Sequence, residues 1–136
     1  MVMMEARHWR WGPELLPMEF EDPNSSEPDT GLYMDPDFMD KLYGLRKLIG
    51  SIIKITKNGG YSSDGHSSGS AHYMGLAADI KFPKERIDFV SNRIRECKFN
   101  GVGYYPNWNM PGFHVDMASR VARWVRNKEG LYISLT

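Results

Sequence analysis

The chain has 136 residues, of which 41% are hydrophobic, 25% charged and 12% aromatic, with 17 basic and 17 acidic side chains. That length and composition describe one globular domain around a single core, and a formal charge of zero argues against a dedicated nucleic-acid binder, which is as a rule basic. A lone cysteine, Cys97, excludes an intramolecular disulfide and any zinc knuckle built from several thiolates.

The charge is unevenly placed. Residues 1–40 hold ten acids and two bases, whereas residues 41–136 hold seven acids and fifteen bases. Either the two parts attract and the first lies on the second, or the basic part faces a polyanion. No run approaches the ~18 apolar residues of a membrane span, and the most apolar stretch, residues 48–55, contains Lys54. The first eleven residues carry charges and tryptophans where a signal peptide needs an apolar centre, so cytoplasmic synthesis without Sec-type processing is expected.

In chain order, residues 1–34 are broken by Pro13, Pro17, Pro23 and Pro28 yet contain Trp9, Trp11, Leu15, Leu16, Met18 and Phe20. They read as an extended lead-in packed on a body formed by residues 35–136. Asp35-Pro36 has the chemistry of an N-cap followed by proline at the first helical position. Phe38, Leu42, Leu45, Leu48, Ile49 and Ile52 then recur at three- and four-residue spacing, which gives the helix one buried face, and Gly50 is expected to end it. Residues 51–56 are β-branched and predict a strand, and a Gly/Ser-rich loop follows to Ser70. Residues 76–82 predict a second strand. Pro83 opens a second helix with Ile87, Val90, Ile94 and Cys97 on one stripe, closed by Gly101. Strands are predicted at 102–105, 113–117, 121–125 and 131–135. The fold class is α+β, a small antiparallel or mixed sheet flanked by two main helices.

Chemistry concentrates in two segments, Ser70-Ala-His72-Tyr-Met-Gly75-Leu-Ala77-Ala-Asp79 and Phe113-His114-Val-Asp116. A turn at Gly75 can bring His72 to face Asp79 on the returning strand. His114 and Asp116, two apart in a strand, share a face. Two histidines and a carboxylate are the ligand types of a catalytic zinc site. On spacing alone, a hydrogen bond between His72 and Asp79 with His114 unrelated explains the same residues.

The segment from Ser70 to Asp79 carries, at every fixed position, the S-x-H-x-x-G-x-A-x-D signature and so resembles the zinc D-Ala-D-Ala carboxypeptidase family. That family includes wall carboxypeptidases and phage L-Ala-D-Glu endolysins, and the Hedgehog signalling domain shares its fold. Gly103-Tyr104-Tyr105-Pro106 and the Phe113–Asp116 block look like the family's second block, and the similarity spans roughly residues 30–127. The resemblance implies Zn²⁺ held by His72, Asp79 and His114, with Ser70 close by. It implies hydrolysis of peptidoglycan stem peptides, with metal-activated water as nucleophile, by a monomer with no nucleic-acid or membrane partner. Release to the cell wall as a phage-type product fits the same picture.

Two departures from the family pattern bear on mechanism. The general base that many relatives place two or three residues before the last histidine is replaced by Pro111 and Gly112. Asp116 is the nearest substitute, acting either as base or as an orienting partner of an imidazole. The arginine that relatives carry after Gly-Tyr is replaced by Ser62 and Ser63, which removes a fork suited to a substrate carboxylate. His66 is the candidate to compensate by donating to an oxyanion. Among aromatics near the site, Tyr73, Tyr105 and Trp108 are candidate substrate contacts, with Tyr104 and Phe113 completing the cluster. Arg120, Arg123 and Arg126, spaced irregularly around Trp124, either bind anionic wall polymer or carry no specific role, the second being preferred. The alternative function is a zinc-binding recognition or virion structural module without catalysis.

Overall fold

The structure is a computed structural model that describes residues 1–135. It is α+β, with a six-stranded mixed sheet and two main helices. The first helix, α1 (Pro36–Ile49), starts where Asp35 accepts a hydrogen bond from the Phe38 N–H at 2.9 Å. It stops at Gly50, whose left-handed backbone lets its N–H reach the Arg46 carbonyl. Its buried stripe is Phe38, Met39, Leu42, Leu45 and Ile49. Each such side chain contributes about 1.5–3 kcal/mol by leaving water. The second helix, α2 (Ile87–Cys97), buries Ile87, Val90 and Ile94 against the same core and packs on α1.

The helix boundaries refine the expectation from sequence. A 3-10 turn at Lys84–Arg86 precedes α2, and Lys98, not Gly101, takes the left-handed position that ends it. Gly101 instead opens a strand. The strands are β1 (Lys54–Ile55), β2 (Ala77–Lys81), β3 (Gly101–Tyr105), β4 (Gly112–Asp116), β5 (Ala122–Arg126) and β6 (Tyr132–Ser134). The β-branched run at 51–56 yields only the two-residue β1, paired with Ile80 and Lys81 of β2, and Thr56 adds one further N–H bond to the Asp79 carbonyl. The spatial order is β1-β2-β4-β3-β5-β6, antiparallel throughout except for the parallel β3–β5 pair.

One sheet face carries Ala78, Ile80, Phe113 and Val115 into the core beneath the helices. Alternation places Ala77, Asp79, His114, Asp116, Gly101, Gly103 and Tyr105 on the other face. Register then aligns rows across the strands. Asp79 pairs with His114, His114 with Gly103, Gly103 with Trp124, and Trp124 with Ser134. A β-carbon at Gly103 would run into the Trp124 indole, and one at Gly101 would meet the Asp116 carboxylate. The glycines are the space in which larger neighbours lie down.

Residues 1–34 run irregularly, with 3-10 turns at Ala6–His8, Pro17–Phe20 and Thr30–Tyr33. Trp11, Leu15 and Phe20 are fully buried in the main core. The Trp11 indole also donates to Asp40 at 2.9 Å. Among the described residues, no ion pair joins the acid-rich 1–40 to the base-rich remainder; apolar packing holds them together. No helix among the described residues is long and apolar enough to cross a membrane.

Candidate metal centre

Gly75 sets the local geometry. Its left-handed φ of 68° ends the 3-10 turn Ala71–Met74 and directs the chain into β2. Ser70 caps that turn by accepting from the His72 N–H, so its hydroxyl serves the backbone while the residue lines the cleft. His72 is thereby placed over Asp79, and β2–β4 pairing brings in His114.

Three donor atoms converge. His72 Nε2 lies 3.2 Å from Asp79 Oδ1 and 3.2 Å from His114 Nδ1, and His114 Nδ1 lies 3.0 Å from Asp79 Oδ1. The far nitrogens fix the tautomers. His72 Nδ1 is 3.0 Å from the Gly60 carbonyl, which can only accept, so that nitrogen donates and Nε2 keeps its lone pair. His114 Nε2 donates to Asp116 at 2.7 Å, which turns Nδ1 inward. Three electron-rich atoms thus face one another within 3.2 Å, an arrangement that is repulsive unless a cation lies among them.

In the metal-free chain that cation is a proton. Burial opposes charge on His114, but hydrogen bonds to Asp116 and Asp79 outweigh it and raise its pKa to about 9. Burial likewise opposes ionisation of Asp79, and the two imidazoles overcome it to hold the carboxyl well below its usual range. A tetrahedral ion with bonds of about 2.0–2.1 Å sets its donors roughly 3.3 Å apart, which these separations match. The residues present fit a divalent metal.

His66 adds a further donor. Ring nitrogens of His66 and His72 and a carboxylate oxygen of Asp79 all lie within 4.8 Å of one another, and this group can hold a metal ion. The His66 ring stacks on His72 with centroids 3.9 Å apart and planes 13° apart. A cation lying in the plane of the His72 ring would therefore be off the plane of His66, which makes His66 the outlying donor and His114, with Nδ1 3.2 Å from His72 Nε2 and 3.0 Å from Asp79, the better-placed third one. His66 Nε2 sits 2.7 Å from the Asn58 carbonyl and must donate to it, leaving the lone pair on Nδ1. Burial, then the adjacent His72, push its pKa below the ordinary value. This tautomer corrects the expected oxyanion-donor role: neutral His66 has already spent its ring proton on Asn58.

Asp116 lies behind His114. It is fully buried, accepts from His114, from the Ala118 N–H at 3.0 Å and from Arg120 at 3.2 and 3.3 Å. Burial would raise its pKa, but these bonds hold it at about 2. It meets the outer nitrogen of the imidazole, away from the converging donors, so the geometry gives it the orienting role and not that of the base.

No family model, curated protein or solved structure matches this chain. Its chemistry therefore rests on these side chains and the space in front of them.

That space is an open cleft of about 800 Å³ lined by His66, Ser70, His72, Asp79 and His114 together with Tyr105, Trp108, Trp124, Arg126 and Tyr132. Tyr105 and Trp108 stack with centroids 4.4 Å apart. Tyr73 does not line the cleft: its hydroxyl accepts from the His66 N–H and donates to the His66 carbonyl, pinning the loop. Tyr104 and Phe113 stack on each other on the opposite face of the sheet. Of the three arginines, Arg120 and Arg126 reach the cleft, whereas Arg123 turns to the carbonyls of Phe99 and Asn100. The sequence reading gave Trp124 and Arg126 no place at the site, yet the alternation of 122, 124 and 126 in a strand places them on the site face. Tyr132 carried no such signal.

Proposed function

We propose that the protein is a zinc-dependent metallopeptidase that hydrolyses peptide bonds of peptidoglycan stem peptides. One observation carries this reading: two imidazole nitrogens, each turned inward by a partner on the far side of its ring, converge with the Asp79 carboxylate in an open cleft. Imidazole and carboxylate suit zinc, and three protein ligands with an open side describe a catalytic site, whereas structural zinc sites are closed by four. When bound, zinc supplies Lewis acidity, acidifying a water ligand to a pKa of roughly 7 and polarising a carbonyl.

The chain's own residues do the rest. The Gly60 carbonyl and the Asp116 carboxylate hold the two imidazoles in position. His66, with its lone pair on Nδ1 and its ring beside His72, is the group able to take a proton from a nucleophilic water. The Tyr105 hydroxyl accepts from the Trp124 indole at 3.2 Å and has Tyr132 as a neighbour, so a substrate oxygen would compete with Tyr132 for its proton. The stacked Tyr105–Trp108 pair offers a flat apolar wall to the peptide.

The test is to load the purified protein with zinc and incubate it with peptidoglycan and with synthetic stem peptides. Products are read by mass spectrometry. Cleavage that disappears with chelator and in His72→Ala supports the proposal. One equivalent of zinc with intact peptides would assign a recognition module instead, and less than about half an equivalent would refute the metal centre.

A further inference from the structure

The cleft does not end at the metal-binding residues. A second depression of about 220 Å³, lined by Tyr105, Asn107, Trp108, Arg126, Asn127, Lys128 and Gly130, adjoins it and shares Tyr105 and Trp108 with it. Arg126 belongs to both spaces. No acidic residue lines the second depression, and the one acid lining the cleft, Asp79, is committed to the imidazoles.

The two cleft arginines differ in kind. Arg120 is neutralised by Asp116. Arg126 is held by its Nε–H, which donates to the Gly130 carbonyl at 3.3 Å, and by the Tyr132 ring, 5.2 Å from its guanidinium carbon. No carboxylate among the described residues pairs with it. Its terminal N–H groups are therefore a half-buried, pre-positioned fork with no anion, in a depression that also holds Tyr105 and the exposed Lys128. A planar guanidinium so held matches a carboxylate bidentately.

We infer that the β5–β6 end of the cleft is a carboxylate subsite, in which Arg126, assisted by Lys128 and Tyr105, holds an anionic group of the peptide whose scissile carbonyl lies at the His72–Asp79–His114 end. The inference rests on the peptidase reading and names its substrate class: an acidic peptide, oriented with a free carboxylate toward the β5–β6 hairpin. It also supplies a candidate, from a different element, for the fork missing at Ser62 and Ser63.

The test reads binding apart from turnover, through the fluorescence of Trp108 and Trp124 in the zinc-loaded protein. The probes are a synthetic stem peptide with all carboxylates free, the same peptide with its C-terminus amidated, and the same peptide with its internal carboxylate amidated. One amidation is expected to weaken binding by about 10- to 100-fold, the usual loss when a charged hydrogen-bonded pair is broken. Arg126→Ala should weaken binding of the free peptide as much and no longer distinguish it from that amide, while Arg126→Lys should recover part of the loss. Unchanged melting temperatures establish that both variants are folded.

Equal binding of all three peptides, an undiminished preference in Arg126→Ala, or no binding of any peptide would overturn the subsite. So would a poly(glycerol phosphate) chain binding more tightly than the free peptide in an Arg126-dependent way, which would assign the arginine to wall polyanion. Discrimination without cleavage would retain the subsite and refute the peptidase; cleavage without discrimination would do the reverse.

Discussion

Metal binding to this site should expel a proton, and the number can be counted. In the metal-free chain His114 is protonated up to about pH 9, with its inner nitrogen 3.0 Å from Asp79. A metal ion needs that nitrogen bare, so each ion bound below this pH displaces about one proton. Apparent zinc affinity should therefore rise about tenfold per pH unit well below pH 9, about 50-fold from pH 7 to pH 9, and flatten above. Competition titrations against a chelator of known affinity at pH 7, 8 and 9 give the slope. Calorimetry in buffers of different ionisation enthalpy counts the protons. Asp116→Asn removes one of the two anions holding the proton, so His114 should titrate lower and the slope should level off earlier. An affinity independent of pH between 7 and 8.5, with no proton released, would refute the idea that three lone pairs compete for one cation.

The same linkage predicts stability in the metal-free protein. His114 is raised from 6.5 to about 9, so its contribution is complete below pH 6.5 and is lost as the pH climbs through 9. The loss is of the order of 3 kcal/mol, visible as a falling melting temperature that zinc should abolish. On the acid side Asp116 is depressed from 3.8 to about 2, so its share is present above about pH 4 and disappears as the pH falls through 2, which acid denaturation followed by circular dichroism will reveal. Gly103→Ala should cost about 1–3 kcal/mol by driving the Trp124 indole off the strand, measured by urea unfolding with the indole as probe. Trp11→Ala should cost about 3–5 kcal/mol by the same measurement, because a fully buried indole and its bond to Asp40 are both lost.

Much of this was legible from residue order because local chemistry and long-range packing agree. Asp35-Pro36 and Gly50 bracket α1 through capping, a property of those residues and their neighbours alone. Alternation in 77–81 and 112–116 put Asp79 and His114 on one face, and the antiparallel register did the rest. What was not legible depends on contacts between distant segments. The N-terminal 34 residues gave no period, yet Trp11, Leu15 and Phe20 fill the core, because side-chain volume alone recruits them. The tautomers of His66 and His72 hang on the carbonyls of Asn58 and Gly60, which no side-chain pattern announces. Whether Asp116 faces the metal or stands behind His114 was undecidable from a shared strand face, since it turns on the rotation of one ring.

Two of the three inner donors sit at directly paired positions on β2 and β4, strands flanked on both sides by others, while other lining residues of the cleft come from the segment after β3 and the hairpin at the C-terminal end. Under the proposed function, hydrolytic machinery and ligand choice are thus mounted on different hardware. Grafting a longer or differently charged β5–β6 hairpin should retarget the protein while leaving its metal chemistry undisturbed, which makes that hairpin the natural place to begin redesign.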